Sequence, residues 1–409
     1  MPWALSLILS IAVPLAAISL YVGRRILRAL VAVSGWEHKK TRRRMLWFFL
    51  FINLLPVVYL LAYLTLGRAG TSLFNGDSFL IDLVFSYPFW MGLAIVAQMF
   101  LVFLPLDLLR LLFLPLLRKH QERWRSLEPR GVLAVAGGVL GYGLFTIITN
   151  TWTVRTVEHD VQLPEGYEGL EGVRIALISD LQADGRTGEW KLRRYVDKVN
   201  ALKPDLILNA GDVVTSGRSY IPLGVSMLGR LQAPHGVISI VGDHDFFSDK
   251  GMVVEGLREH GITVVEDSTL TLHINDTPLT ITGVTYTYRQ RPKPEALQEI
   301  VEAGGGGYKV FLVHQPAEQL VELAAQHGYH LFLAGHTHGG GITLGIPGIA
   351  LAAPASFESR FVSGFYGVGE MLVCVTNGLG FTLAPIRYHA PAEIVVLRLR
   401  QVRSSGPTG

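Results

Sequence analysis

Cysteine occurs once in this 409-residue chain, at Cys374, so no intrachain disulfide and no Cys-rich zinc site can be built. Charge is also scarce. Asp, Glu, Lys and Arg make up 17% of residues against 49% hydrophobic ones, a balance that soluble domains seldom reach. The net charge is only +3 and no basic stretch is interleaved with aromatics, which argues against nucleic acid as an obligate partner. No repeat of solenoid period is present. The glycines at 304–307 lack the Lys-Ser/Thr that completes a P-loop and precede a strand-like run, so they read as a connection.

What is abundant is apolar sequence, concentrated before about Asn150. Residues 3–22, 46–66, 81–106 and 132–149 each approach the roughly 20 helical residues that cross a hydrocarbon core. The first run has no charged segment before it, so it reads as a retained helix and not a cleaved signal. Arg24, Arg25, Arg28, Lys39, Lys40, Arg42, Arg43 and Arg44 lie between the first and second runs, and Arg118, Lys119, Arg123, Arg125 and Arg130 between the third and fourth. The positive-inside rule predicts both loops in the cytoplasm, with the N-terminus and everything after the fourth run outside. The expected setting is a membrane crossed several times, with the globular part on the extracytoplasmic side. Asp107 and Arg110, three apart, are expected to pair at the cytoplasmic interface.

Beyond residue 150 short apolar runs alternate with amphipathic segments, the pattern of an α/β domain. Strands are predicted near 173–179, 205–210, 236–241, 279–284, 309–313, 330–334, 371–375 and 393–399, and helices over 189–202, 252–260, 294–303 and 316–326. The expected organisation is a transmembrane domain at 1–150, a globular domain at 151–402 and a disordered tail at 403–409.

Five strand-like runs end in metal-capable residues. "ALISDLQ" gives Asp180 and Gln182, "LILNAGD" gives Asp212, and "ISIVGDHD" gives Asp243, His244 and Asp245. "VFLVHQP" gives His314, and "LFLAGHTHGG" gives His336 and His338. Each alone is weak, because Asp at a strand end is often only a cap or turn former. Together they predict one crevice, since strand ends of an α/β sheet converge where ligands bind.

The ordered set resembles the calcineurin-like metallophosphoesterases, whose motifs run D-x-H, G-D, G-N-H-D/E, H and G-H-x-H. The closing "NGLGFTLAPIRYHAPAEIVVL" is similar to their membrane-associated bacterial branch. The resemblance implies a four-layer α/β/β/α metallophosphoesterase sandwich following an N-terminal bundle of four transmembrane helices. It also implies two divalent metal ions. Asp180, Gln182, Asp212 and His338 would hold one, and Asp212, Asp243, His314 and His336 the other, with Asp212 bridging. His244 would be the acid that assists the leaving oxygen, and Asp245 would orient it or support its loop.

Two positions depart from the motif: Gln182 stands for the first-motif His and Asp243 for the Asn of G-N-H-D. Both keep an oxygen donor and shift the site toward harder coordination, which favours Mn over Fe or Zn. Arg218, Tyr220 and His235 are candidate substrate contacts. The expected activity is hydrolysis of a phosphate ester or diphosphate by a metal-bridging hydroxide. Its substrate is expected to be a phosphorylated lipid or lipid-linked headgroup at the extracytoplasmic membrane face. The alternatives are a phosphoesterase of soluble nucleotides or sugar phosphates, and a non-catalytic metal-binding sensor or scaffold.

Overall fold

The computed structural model describes residues 2–113, 121–346 and 349–401. The expected tail at 403–409, and Arg118 and Lys119 of the second basic loop, lie outside the described residues. The chain divides into two compact units, one of Met1–Trp152, Ile342–Ala352 and Leu383–His389, the other of Thr153–Gly341, Ala353–Thr382 and Ala390–Gly409.

In the first unit Trp3–Ser34, Phe79–Leu112 and Ser126–Trp152 are helices long and apolar enough to span a membrane. The run expected at 46–66 is instead split between His38–Ile52 and Leu54–Leu66, bent by 48°. The break has a local cause. Pro56 cannot donate to the carbonyl of Ile52, and the Asn53 amide bonds back to the carbonyl of Phe49 at 2.8 Å.

Asp107 and Arg110 do not pair with each other. Asp107 takes Arg25 and Tyr21 of the first helix, and Arg110 takes Glu128 of the last, because helix packing offers each an opposite partner closer than its own neighbour. The apolar interior of this unit includes Leu5, Val22, Leu55, Phe89 and Phe103, together with Ile342, Ile386 and Tyr388 from far along the chain. The amide of Gly345 donates to Gln98 at 3.3 Å, that of Arg387 to Thr151 at 3.0 Å, and the Tyr142 hydroxyl meets His389 Nε2 at 2.7 Å.

The strands, in chain order, are β1 (Val154–Leu163), β2 (Arg174–Ile178), β3 (Leu206–Asn209), β4 (Val237–Ser239), β5 (Thr263–Val264), β6 (Ser268–Ile274) and β7 (Thr277–Val284). They continue as β8 (Tyr308–Val313), β9 (Leu331–Ala334), β10 (Leu344–Ile346), β11 (Ile349–Ala352), β12 (Gly364–Val368), β13 (Met371–Val375) and β14 (Ala392–Gln401). The second unit holds two mixed six-stranded sheets, ordered β1-β14-β2-β3-β4-β5 and β12-β13-β9-β8-β7-β6, while β10 and β11 form a hairpin of the first unit.

One apolar cluster joins Ile175, Leu177 and Leu208 of the first sheet to Ile281, Leu312 and Leu333 of the second. On its other side the first sheet meets Glu189–Ala201, Ile221–Leu228 and Lys250–Glu259 through Ala176, Ile207, Leu192, Val225 and Leu257. The second sheet meets Pro294–Glu302 and Glu318–Gln326 through Phe311, Phe332, Val301 and Leu320. Because β2, β3, β4, β8 and β9 run almost wholly apolar and are covered on both faces, their polar residues fall at the strand ends.

Removing residues 1–152 deprives Ile342, Ile386 and Tyr388 of the helices that bury them. The truncated chain is expected to aggregate or associate in size-exclusion chromatography, whereas a monodisperse, cooperatively melting fragment would contradict this division of the chain.

Candidate metal centre

Three parallel strand ends of the first sheet deliver Asp180 and Gln182 after β2, Asp212 after β3 and Asp243 after β4. The second sheet delivers His314 after β8, and His336 and His338 after β9. Asp180, Gln182, Asp212, Asp243 and His314 are all at least 98% buried. Two groups have ligand atoms within 4.8 Å of one another: Asp180, Asp212 and His314, and Asp243, His314 and His336. His314 is common to both.

The geometry is tight. His314 Nε2 lies 3.2 Å from Asp212 Oδ2 and 3.6 Å from Asp243 Oδ2, and His336 Nδ1 lies 3.1 Å from Asp243 Oδ2. His338 Nε2 is 3.3 Å from Asp180 Oδ1 and 2.6 Å from the Thr382 hydroxyl. Gln182 donates its amide to Asp212 Oδ2 at 2.8 Å. Asp180 Oδ1, Gln182 Oε1 and His314 Nε2 are buried without a hydrogen-bond partner, which is costly unless something else coordinates them. Mixed oxygen and imidazole donors with orphaned atoms fit divalent cations.

Close approach is built into the backbone. A Cβ on Gly242 would stand 2.2 Å from Asp212 Oδ1, and one on Gly335 1.9 Å from Ser179 Oγ, so neither position tolerates a side chain. Asp180, Gln182, Asp212, His336 and His338 all adopt positive φ, between 50° and 71°. Five non-glycine residues in that region mark stored strain of the kind found where a site is over-determined by its surroundings.

Electrostatics follow from the crowding. Burial works to raise the Asp212 carboxyl, but the charges of His314 and His244 and the bond from the His244 amide outweigh it and hold it well below the usual carboxylate range. Asp243 is likewise pushed up by burial and pulled lower by His336 and His314. Burial lowers the His336 imidazole, but its bonds to Asp243 and Glu358 prevail and raise it to about 9.

The His244 amide donates to Asp212 Oδ1 at 2.8 Å, and its Nδ1 faces the carbonyl of Thr215. A carbonyl only accepts, so Nδ1 carries the proton and Nε2 is left for proton exchange. Asp245 accepts from the amides of Asp212, Val213, Val214 and Gly242 at 2.9–3.4 Å. Burial and the Asp212 charge push it up to about 7. Its bonds support the loop that carries Asp212.

The expected substrate contacts fare differently. His235 precedes β4 and its amide bonds the carbonyl of Asp205 before β3, so it lies at the opposite end of the strands from Asp212 and Asp243. The cause is a turn that begins a strand and does not end one. Arg218 is exposed and pairs with Asp249 at 2.9 Å, and Tyr220 packs on the outer apolar cluster of the first sheet. Residues that sequence reasoning missed lie closer in. Tyr288 donates its amide to Asp243 Oδ1 at 2.7 Å, Gln315 its side chain to Asp243 Oδ2 at 2.8 Å, and Glu358 takes His336 Nε2 at 3.1 Å. Only Gln315 had a signal, standing directly after His314.

Residues 173–340 match the calcineurin-like phosphoesterase family, which makes the class a metal-dependent phosphoester hydrolase. The chain carries a calcineurin-like metallophosphoesterase domain. YkuE, an uncharacterized metallophosphoesterase of Bacillus subtilis, is 29% identical over 273 residues, covering 65% of this chain and 91% of its own length. An uncharacterized metallophosphoesterase of Campylobacter jejuni is 27% identical over 273 residues, 66% of this chain and 68% of that one. A Danio rerio protein named as a transmembrane protein with metallophosphoesterase domain is 27% identical over 257 residues, covering 60% of this chain and 57% of its own.

To offer Nδ1 to a cation, His336 must give up its proton, so metal affinity is expected to rise with pH by about tenfold per unit per proton displaced, levelling off at about 9. The metal-free fold shows the opposite sign. A raised imidazole stabilises it below its ordinary 6.5, and that contribution is lost as pH rises through about 9. Metal titrations at several pH values check the first, and thermal melts of the metal-free chain the second.

Proposed function

We propose that the chain is a membrane-anchored phosphoesterase working on a four-layer α/β/β/α sandwich. Asp180, Gln182, Asp212 and His338 would hold one divalent ion, and Asp212, Asp243, His314 and His336 a second. The observation that carries this reading is the convergence of orphaned, buried Asp180 Oδ1, Gln182 Oε1 and His314 Nε2 on strained strand ends. Divalent ions bound there supply Lewis acidity, lowering the pKa of water and neutralising phosphoryl oxygens. The oxygen-rich donor set, with Gln182 and Asp243, favours Mn.

The residues of the chain divide the remaining work. Asp212 and Asp243 fix the register of the donors, and the His244 proton on Nδ1 is locked by Thr215. In its doubly protonated form His244 gives the Nε2 proton to the leaving oxygen as the phosphorus–oxygen bond breaks and water supplies the new bond. The substrate we assign is a phosphate ester or diphosphate of a lipid or lipid-linked headgroup. Support comes from the single residue, Thr153, that separates the last membrane-type helix from β1. The paired basic loops support the extracytoplasmic face of a bacterial inner membrane.

Detergent-solubilised full chain with Mn is expected to hydrolyse such lipids faster than soluble esters. Asp212→Ala should lose metal and at least about a hundredfold in rate, more than supporting residues usually cost. Activity in that variant equal to the parent would sink the enzyme reading. His244→Ala should keep its metal content while kcat falls by about a hundredfold or more. Gln182→His should raise affinity for Zn relative to Mn, read by metal analysis after competitive loading.

A further inference from the structure

Beside the metal centre stands a cation that the site itself does not use. Tyr288 is pinned at both ends, its amide on Asp243 Oδ1 at 2.7 Å and its hydroxyl on Glu358 at 2.6 Å. The next residue, Arg289, sits in a closed turn: its amide and that of Gln290 donate to the Thr287 hydroxyl, and the Thr287 amide returns to the carbonyl of Gln290. Its guanidinium carbon lies 5.1 Å above the Phe247 ring, and that ring stands edge-on to His244 at 5.7 Å. Among the described residues no carboxylate pairs with Arg289, which is exposed. Arg291, by contrast, is turned back onto Thr287 and Tyr286. A fixed, unneutralised guanidinium is therefore held one aromatic ring beyond His244, and Phe247 and Tyr288 present partly exposed rings, 38% and 54%, on the same rim.

We infer that Arg289 is a specificity residue that binds a second phosphate on the leaving-group side, so that the preferred substrate is a diphosphate. The inference rests on the phosphoesterase reading, in which His244 marks where the leaving group departs. A reacting phosphoryl group at the strand ends places its leaving oxygen at His244, and a phosphate carried on that oxygen extends toward Phe247 and Arg289. Guanidinium suits this role because its planar fork engages two phosphate oxygens at once and its charge is permanent. Stacking on Phe247 holds the fork without neutralising it. The rings beside it accept an apolar or planar body attached to the second phosphate.

The test is equilibrium binding to the Mn-loaded full chain in detergent, using methylenediphosphonate, which cannot be hydrolysed, and inorganic phosphate. Arg289→Ala is expected to weaken methylenediphosphonate by about tenfold or more, the loss of one charge-assisted contact. Phosphate should move less than about twofold, showing that the metal centre and fold are intact, and Arg289→Lys should fall between. Equal weakening of both ligands, no weakening of either, or a parent chain that does not distinguish them overturns the proposal. Farnesyl diphosphate and ADP in the same assay separate a lipid from a nucleotide source. The Arg289→Ala penalty is expected with whichever binds more tightly, and its absence there also overturns the proposal. Turnover of bis(p-nitrophenyl) phosphate in the same preparation tests the phosphoesterase reading separately, since its loss would leave the binding difference standing.

Discussion

Four carboxylates buried side by side are the constraint on which the catalytic unit depends. Asp180, Asp212, Asp243 and Asp245 are 0–2% exposed, and unpaired charges in such a place cost several kcal/mol apiece. The protein meets that cost in three ways. Asp245 is wrapped by four backbone amides and its carboxyl is pushed up to about 7. His314 and His336 carry raised proton affinities that offset Asp212 and Asp243. Asp180 Oδ1 and the amide oxygen of Gln182 accept no hydrogen bond, and this remainder is what a divalent cation would satisfy. The positive φ angles at five donor residues persist because two sheets fix the strands that lead into them.

The two departures from the family motif make sense as one arrangement. Asp243 uses both oxygens as acceptors, Oδ1 from the Tyr288 amide and Oδ2 from Gln315 and His336. An asparagine has one acceptor oxygen and could not serve both sides without turning a donor onto a donor. The carboxylate, the glutamine after His314 and the Tyr288 turn therefore belong together. Gln182 fits the same logic, because its amide nitrogen donates to Asp212 Oδ2 while its oxygen stays unpartnered.

Legibility in the sequence followed burial on both faces. β2, β3, β4, β8 and β9 are short apolar runs with polar ends, and each was visible along with the candidate donor that follows it. β1 and β6 were not, since they alternate exposed and covered residues on sheet edges and mix charge or threonine into the run. His235 shows how the same signal misleads: a histidine beside an apolar run was read as part of the site, although it begins the strand that Asp243 ends. Tyr288 and Glu358 lie in connections whose sequence has no period, and only the assembled second sheet places them against His336 and Asp243. The bend at Asn53 was hidden because hydropathy averages over a proline that geometry cannot ignore.

The segments Ile342–Ala352 and Leu383–His389 were read as part of the globular half because composition there is ordinary and the helices they join are far away in sequence. Their place in the helical unit changes what anchoring means. A chain held by one linker could lose its helices and keep its site, as a tethered soluble enzyme would. Here the loop with His338 runs shortly into Ile342, and Thr382, which bonds His338 at 2.6 Å, directly precedes Leu383. Both segments that continue from this corner of the site are buried through Ile342, Ile386 and Tyr388 among residues of the membrane-type helices. The helices therefore belong to the packing of these two segments and are more than a tether at one end of the chain.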